Sequence, residues 1–173
     1  MRVVEAGDLR LEPQLVAHAD EMFVVLSDPA IYEYENEPPQ SLAGLRERFA
    51  ELESRRSPNG AERWLNWVVG LAGTGLIGYV QATIYPDARA AIAYEFASAH
   101  WGRGLARRAV ETMLSELAAQ HGVQRFTAVL KRRNQRSLRL LQRLAFAPAS
   151  AAAHEKHGVE RDELLMQREL RKT

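Results

Sequence analysis

The alternation of apolar and polar positions divides the chain into stretches of helical and of strand period. Residues 8–13, "DLRLEP", alternate and stop at a proline, which predicts a short strand. Residues 14–28, "QLVAHADEMFVVLSD", carry apolar side chains at helical spacing and end before Pro29. Residues 41–56 predict a second helix, in which Ser41 is a good N-cap and Leu42, Leu45, Phe49 and Leu52 share a face. Between these helices "IYEYENEPP", 31–39, is acidic, aromatic and proline-ended, and reads as a loop. The centre of the chain has the period of strands. "RWLNWVVGLA", "GLIGYVQATIY" and "AAIAYEFA" are separated by the turn signals "AGTG" and "PDAR", the pattern of an antiparallel meander. In the last of these strands Ile92, Tyr94 and Phe96 share one face, and Ala93 and Glu95 the other.

Helical spacing returns at "GLARRAVETMLSELAAQHG", where Leu105, Ala109, Met113 and Leu117 form an apolar stripe and Gly122 closes the C-terminus. "VQRFTAVL" reads as a strand. "NQRSLRLLQRLA" reads as a helix with Leu138, Leu141 and Leu144 inward and Arg133, Arg136, Arg139 and Arg143 outward. "ERDELLMQREL" supplies a last strand. The predicted order is β-α-α-β-β-β-α-β-α-β, with room for one more strand after Phe146. The β-α-β unit from "AAIAYEFA" to "VQRFTAVL" implies two parallel neighbours with a right-handed crossover.

Composition narrows the chemistry. The chain has 173 residues, 46% apolar and 26% charged, the profile of one globular domain spanning 1–173. A net charge of +1 announces neither nucleic acid nor membrane. The absence of cysteine removes disulfides, thiolate metal sites and cysteine nucleophiles, and fits a reducing compartment. No stretch has the length of a signal-peptide core or a membrane span, so the expectation is a cytoplasmic protein.

The candidate chemistry begins at "AHWGRGLARRAVETML", residues 99–114, where Gly102 and Gly104 precede a strong helix. Glycine costs roughly 1 kcal/mol against alanine inside a helix, so bare backbone at this turn needs a reason. A helix N-terminus presents unpaired N–H groups and a partial positive charge, which suit a phosphate. Gly102 and Gly104 bare, Ala106 small and Arg103 cationic suit a pyrophosphate; a tight strand-to-helix turn alone also explains the glycines. A P-loop is excluded because no lysine follows, and a Rossmann fingerprint because Arg107 stands where its third glycine belongs.

Taken with this turn, "HWGRGLARRAVETML" resembles the [Q/R]-x-x-G-x-[G/A] motif of the GNAT N-acetyltransferases. Gly104 and Ala106 match, and Trp101 stands where glutamine or arginine is usual, a departure found in the RimJ/RimL-like branch. "NQRSLRLLQRLAF" is similar to the second signature, N-x-x-S-x-x-L-L-x-x-x-G-F, through Asn134 and Ser137, with Ala145 in place of glycine. "HGVERDELLM" and "LRLEP" resemble the branch's C-terminal segment and first strand.

The resemblance implies an α/β GNAT fold, a mixed and mostly antiparallel sheet of about seven strands flanked by about four helices. It implies an enzyme that transfers acetyl from acetyl-CoA to a primary amine, a protein N-terminus or a small molecule, by direct attack in a ternary complex and without a metal. On this reading the pyrophosphate sits on backbone from Gly102 through Arg103, Gly104 and Leu105 to Ala106, beside Trp101. The pantetheine arm lies near Phe96 and Ala97, Asn134 bonds the arm or the acceptor, and Ser137 reaches the phosphate side. The general-acid tyrosine of some relatives falls at Leu141 and is missing, which leaves Ser137 as an outside candidate.

The acceptor amine must lose a proton, and Glu95 is the candidate base; a structural carboxylate paired to an arginine is the plain alternative. Glu33, Glu35 and Glu37 would attract a cationic amine, with Tyr32 and Tyr34 at its entry, although the plainer reading is a solvated surface loop. Trp64 and Trp67 either line the acceptor side or fill the core. The basic run Lys131, Arg132, Arg133, Arg136, Arg139 and Arg143 reads as a clamp for the 3′-phosphate of CoA or a solvated helix face. Nucleic acid is disfavoured because no aromatic residue interleaves it. His154 and His157 read as surface-loop histidines, since no third metal ligand accompanies them. Two rival functions are an inactive acyl-CoA sensor and a ribosome- or RNA-associated binding protein. A homodimer is compatible with the sequence.

Overall fold

The computed structural model describes residues 1–34 and 36–170; Glu35, one of the acidic loop positions, lies outside the described residues. The strands are β1 (Val4–Ala6), β2 (Leu9–Pro13), β3 (Arg63–Leu71), β4 (Gly75–Ile84), β5 (Arg89–Phe96), β6 (Arg125–Lys131), β7 (Ala147–Pro148) and β8 (Glu163–Glu169). The helices are α1 (Ala19–Leu26), α2 (Leu42–Leu52), α3 (Leu105–His121), α4 (Gln135–Arg143) and α5 (Ala151–Lys156). Among the described residues the strands form one sheet in the order β1-β2-β3-β4-β5-β6-β8-β7. All neighbours are antiparallel except β5 and β6.

The sheet is mixed and mostly antiparallel as expected, and among the described residues it has eight strands, against about seven, with five α-helices, against about four. The added strand is β1, which pairs back on β2 through the tight turn at Gly7 and is too short to show a period. The added helix is α5, whose N-cap Ser150 accepts the Ala153 N–H at 3.2 Å. The first predicted helix starts later than its apolar spacing suggested, because residues 16–18 form a 3₁₀ turn.

Strict alternation along the strands sets up two apolar layers. Trp67 and Val69 of β3 and Val80 and Ala82 of β4 pack with Leu105, Ala109, Met113 and Leu117 of α3 and Leu141 and Leu144 of α4. Val68 of β3 and Tyr79 of β4 face the other way, against Met22 and Leu26 of α1 and Leu45 and Phe49 of α2. In β4, Ile77 is an extra residue: Val69 pairs with Gly78 but Gly70 with Leu76. The Ile77 carbonyl accepts the Ala97 N–H at 3.0 Å, which anchors the chain just beyond β5.

His154 and His157 do not sit in a surface loop. His154 is a residue of α5, not of a loop; its Nε2 accepts the Leu165 N–H at 2.9 Å and so ties α5 to β8. His157 ends that helix at its C-cap. The turn after α4 is closed by Phe146 N–H to Leu141 carbonyl at 3.0 Å, which forces Ala145 to φ +61°. A side chain in this left-handed region costs roughly 1–2 kcal/mol, and glycine loses part of that advantage through its larger unfolded-state entropy. Ala145→Gly is therefore expected to stabilise the protein by about 1 kcal/mol, raising its melting temperature by roughly 2–4 °C in a thermal unfolding scan.

Candidate active site

The parallel pair at the centre of the sheet is short. Arg89, Ala90 and Ala91 of β5 oppose Arg125, Phe126 and Thr127 of β6, and pairing then stops. Beyond it the strands diverge, and Ile92 to Phe96 line one side of a cavity of about 720 Å³ while Ala128, Val129 and Leu130 line the other. Because neighbouring residues of β5 point to opposite faces, the cavity draws walls from both layers. Glu95 and Ala93, with Tyr79 and Gln81 beside them on β4, look toward α1 and α2. Ile92, Tyr94 and Phe96 look toward α3 and α4.

At one end of the cavity lies the turn into α3. Gly102 and Gly104 have φ of +74° and +75°, and Gly104 is the N-cap of the helix. A Cβ at either would meet nothing within 4 Å, so backbone conformation, not crowding by the protein, requires these glycines. The open space above them leaves the first N–H groups of α3 accessible, and α3 is 17 residues long. Leu105 is buried beneath the cradle, and Leu105 and Ala106 line the cavity with both glycines. Arg103 stays exposed outside the lining, 3.4 Å from His100 Nδ1.

Trp101 gives the turn its rigidity. Its indole N–H donates to the Phe96 carbonyl at 2.8 Å, and the Arg136 guanidinium lies 3.4 Å from its ring centroid. Arg136 also approaches Glu33 at 3.8 Å, and Arg133 stacks over Tyr34 at 5.6 Å. Glu33 and Tyr34 are thereby fastened to the start of α4 and to the turn before it. The other anchor of this segment is Asp28, whose Oδ2 accepts the Ser98 N–H at 2.7 Å while Oδ1 accepts the Ala30 N–H at 3.0 Å. The bonds from Ser98, ahead of the opposing effect of burial, hold the Asp28 carboxyl below the usual range.

Asn134 and Ser137 border the cavity from the start of α4. Asn134 is the N-cap, its Oδ1 accepting the Ser137 N–H at 3.0 Å. The Ser137 hydroxyl lies 2.6 Å from that of Tyr94, and burial raises the Tyr94 phenol well above its ordinary value. Tyr32 lines the cavity and donates its hydroxyl to the Leu26 carbonyl at 2.7 Å. Burial, then the charges of Glu95 and Asp28, push its phenol up to about 12.

The structure gathers most of the residues read from sequence around one space and leaves others outside it. Glu95, Phe96, Trp101, Gly102, Gly104, Leu105, Ala106, Asn134, Ser137, Tyr32, Tyr34 and Glu37 line the cavity. Ala97 packs beside it against the α1–α2 cluster, and Glu33 stands at its rim. Trp64 does not line it: the residue sits opposite Thr83 on the sheet, with its indole N–H on Glu62 at 3.0 Å. Trp67 is fully buried in the α3–α4 layer. Sequence reasoning missed Tyr79 and Gln81, which reach the site only through their register with Glu95 and Ala93. The basic run is also dispersed. Lys131 is held by Glu160, Asp162 and Glu163, whereas Arg136, Arg139 and Arg143 line the cavity, together with Arg107 of α3.

A profile of the acetyltransferase (GNAT) domain matches residues 8–147. The chain belongs to the GNAT acetyltransferases, which use acetyl-CoA as acyl donor. Among solved structures it is similar to RimL, the ribosomal L7/L12 α-N-protein acetyltransferase, in complex with coenzyme A. That match has a TM-score of 0.80 and 17% identity, over 97% of this chain and 98% of that one. The ribosomal-protein-S5-alanine acetyltransferase of Vibrio fischeri gives 0.76 at 18% identity, over 96% of each chain. The microcin C7 self-immunity acetyltransferase MccE, solved with acetyl-CoA and AMP, gives 0.77 at 16%, over 95% of this chain and 93% of that one. Likeness at such identities is a likeness of fold. No curated protein matches the sequence significantly.

Gly104→Ala separates backbone from ligand. The variant is expected to lose about 1–2 kcal/mol of stability from its left-handed position. Its affinity for acetyl-CoA, measured by calorimetry, is expected to fall at least tenfold, because the methyl group enters the space above the α3 N–H groups.

Proposed function

We propose that the protein acetylates a primary amine, either a peptide N-terminus or a small molecule, by direct attack on acetyl-CoA held in a ternary complex. The observation that carries this reading is the passage through the sheet, with accessible helix N–H groups at one end and the Glu95 carboxylate on its far wall. The pyrophosphate would lie over Gly102 to Ala106, where the helix terminus favours negative charge. Arg107, Arg139 and Arg143 supply cations for the remaining phosphate. The pantetheine arm would take the place of the strand that β5 lacks beyond Ala91, near Phe96 and Ala97.

The acceptor would enter from the α1–α2 side, between Tyr32, Tyr34 and Glu37, and present its nitrogen to Glu95. Glu95, directly or through water, takes the proton that the amine loses on forming the amide. The departing sulfur would face the start of α4, where Asn134 and Ser137 lie. Every residue given a role in this reading belongs to one domain.

Two measurements test the reading. Acetyl-CoA or CoA at about 100 times its dissociation constant adds about 2.7 kcal/mol to stability. A thermal scan should register that as roughly 2–4 °C per kcal/mol, with NADH giving none. Amines and short peptides are then screened with acetyl-CoA, and Glu95→Gln is expected to lower kcat by about 100-fold or more on whichever acceptor turns over. Tight donor binding with no turnover on any amine would favour an acyl-CoA sensor instead.

A further inference from the structure

Tyr94 is a part-buried phenol on the cavity wall to which the acetyl transfer proposed above gives no task. It is next to Glu95 in β5 and faces the opposite layer, so the two residues stand on the two sides of the opened sheet. Its hydroxyl contacts the Ser137 hydroxyl at 2.6 Å. That contact joins β5 to the start of α4. Ser137 is in the first turn of α4, where the unpaired N–H groups favour negative charge. The Ser137 N–H is already taken by Asn134 Oδ1, so the side-chain hydroxyl is the mobile donor at this position.

We propose that Tyr94 is a positioning residue for the departing thiolate: it donates its hydrogen bond to Ser137 Oγ and thereby turns the Ser137 hydroxyl hydrogen into the cavity, toward the sulfur. This rests on the acetyl-transfer reading above. A serine hydroxyl in a helix otherwise tends to turn back on a carbonyl of the preceding turn. An incoming bond from Tyr94 occupies a lone pair of Ser137 Oγ and leaves its one hydrogen for a ligand. The Tyr94 phenol, raised further above the neutral range by burial, always carries the hydrogen that this arrangement asks it to donate.

The balance of the step follows from this arrangement. The amine nitrogen bonds to the thioester carbonyl carbon, the carbon–sulfur bond breaks, and its electron pair leaves on sulfur. The Ser137 O–H stabilises that charge by a hydrogen bond. The proton lost by the amine passes through Glu95 or water to solvent, and solvent returns one to the thiolate. Base and thiolate donor thus work from opposite faces of β5. The position at which some GNAT enzymes carry a helix tyrosine holds Leu141, buried in the core. Here the phenol comes from the strand and acts through a serine of the helix.

The probe is CoA itself, which requires no acceptor. The thiol of bound CoA is titrated by its thiolate absorbance in wild type, Tyr94→Phe, Ser137→Ala and the double variant, with CoA affinity measured by calorimetry. CoA is held at saturation in all four proteins, so that a change in its affinity does not enter the comparison of thiol pKa values. The bound thiol pKa should rise by about one unit in Ser137→Ala, by a large part of that in Tyr94→Phe, and no further in the double variant. A fluorinated tyrosine at position 94, which keeps the hydroxyl and makes it a stronger donor, should move the thiol pKa down and covers the case of a Phe variant that does not fold. An unchanged thiol pKa in Tyr94→Phe, or full additivity in the double variant, overturns the pair while leaving the donor site standing. Failure of the wild type to bind CoA overturns the acetyl-transfer reading, and the pair with it.

Discussion

The structure depends on one interruption, the end of β5–β6 pairing after Ala91 and Thr127. Buried backbone groups need partners, so a sheet that stops pairing near its centre must settle its accounts elsewhere. The far end of β5 is held by side chains and turns instead of by β6. Trp101 takes the Phe96 carbonyl, Ile77 at the β4 bulge takes the Ala97 N–H, and Asp28 takes the Ser98 N–H. Below the gap, α3 and α4 pack a continuous apolar layer that includes Phe96, Leu130 and Leu141. The strands can therefore stand apart without collapsing, and the space between them is a cavity rather than a fault.

The strand period then distributes the chemistry. Successive residues of β5 face opposite layers, so Tyr94 and Glu95 reach the cavity from different sides although they are adjacent in sequence. The turn that follows β5 starts α3 at the mouth of the same cavity, with left-handed glycines leaving its N–H groups uncovered. The segment from Asp28 to Tyr34 lies on the opposite side, fastened by the Asp28–Ser98 bond, by Arg133 over Tyr34 and by Arg136 between Trp101 and Glu33. Trp101 therefore does several jobs at once. It ends β5, supports the cradle and carries the cation that holds the loop.

Much of this was legible in the sequence because it rests on local signals. The meander, the amphipathic helices and the glycine turn are set by period, capping and φ, which neighbouring residues encode. The faces of β5 followed from alternation alone. What could not be read depends on register or on distant partners. Strand β1 has too few residues to show a period and forms only against β2. Tyr79 and Gln81 join the site because β4 is registered against β5. Trp64 and Trp67 are two strand residues of similar character, and only the sheet shows that one pairs with Glu62 and the other enters the core. His154 reads as a loop residue until α5 and β8 are placed together. The basic run looked continuous along the chain, yet the acidic residues Glu160, Asp162 and Glu163 neutralise Lys131 while the helix turns other arginines into the cavity.

The central claim is that the opened strand edge and the start of α3 together hold the acyl donor. Amide hydrogen exchange, followed residue by residue with and without acetyl-CoA, addresses it most directly. The account predicts slowed exchange concentrated at the free end of β5 and at the first turn of α3, about residues 94–97 and 102–107, with β1 and α5 unchanged. Protection spread evenly over the molecule, or confined to the outer face of α4, would contradict it.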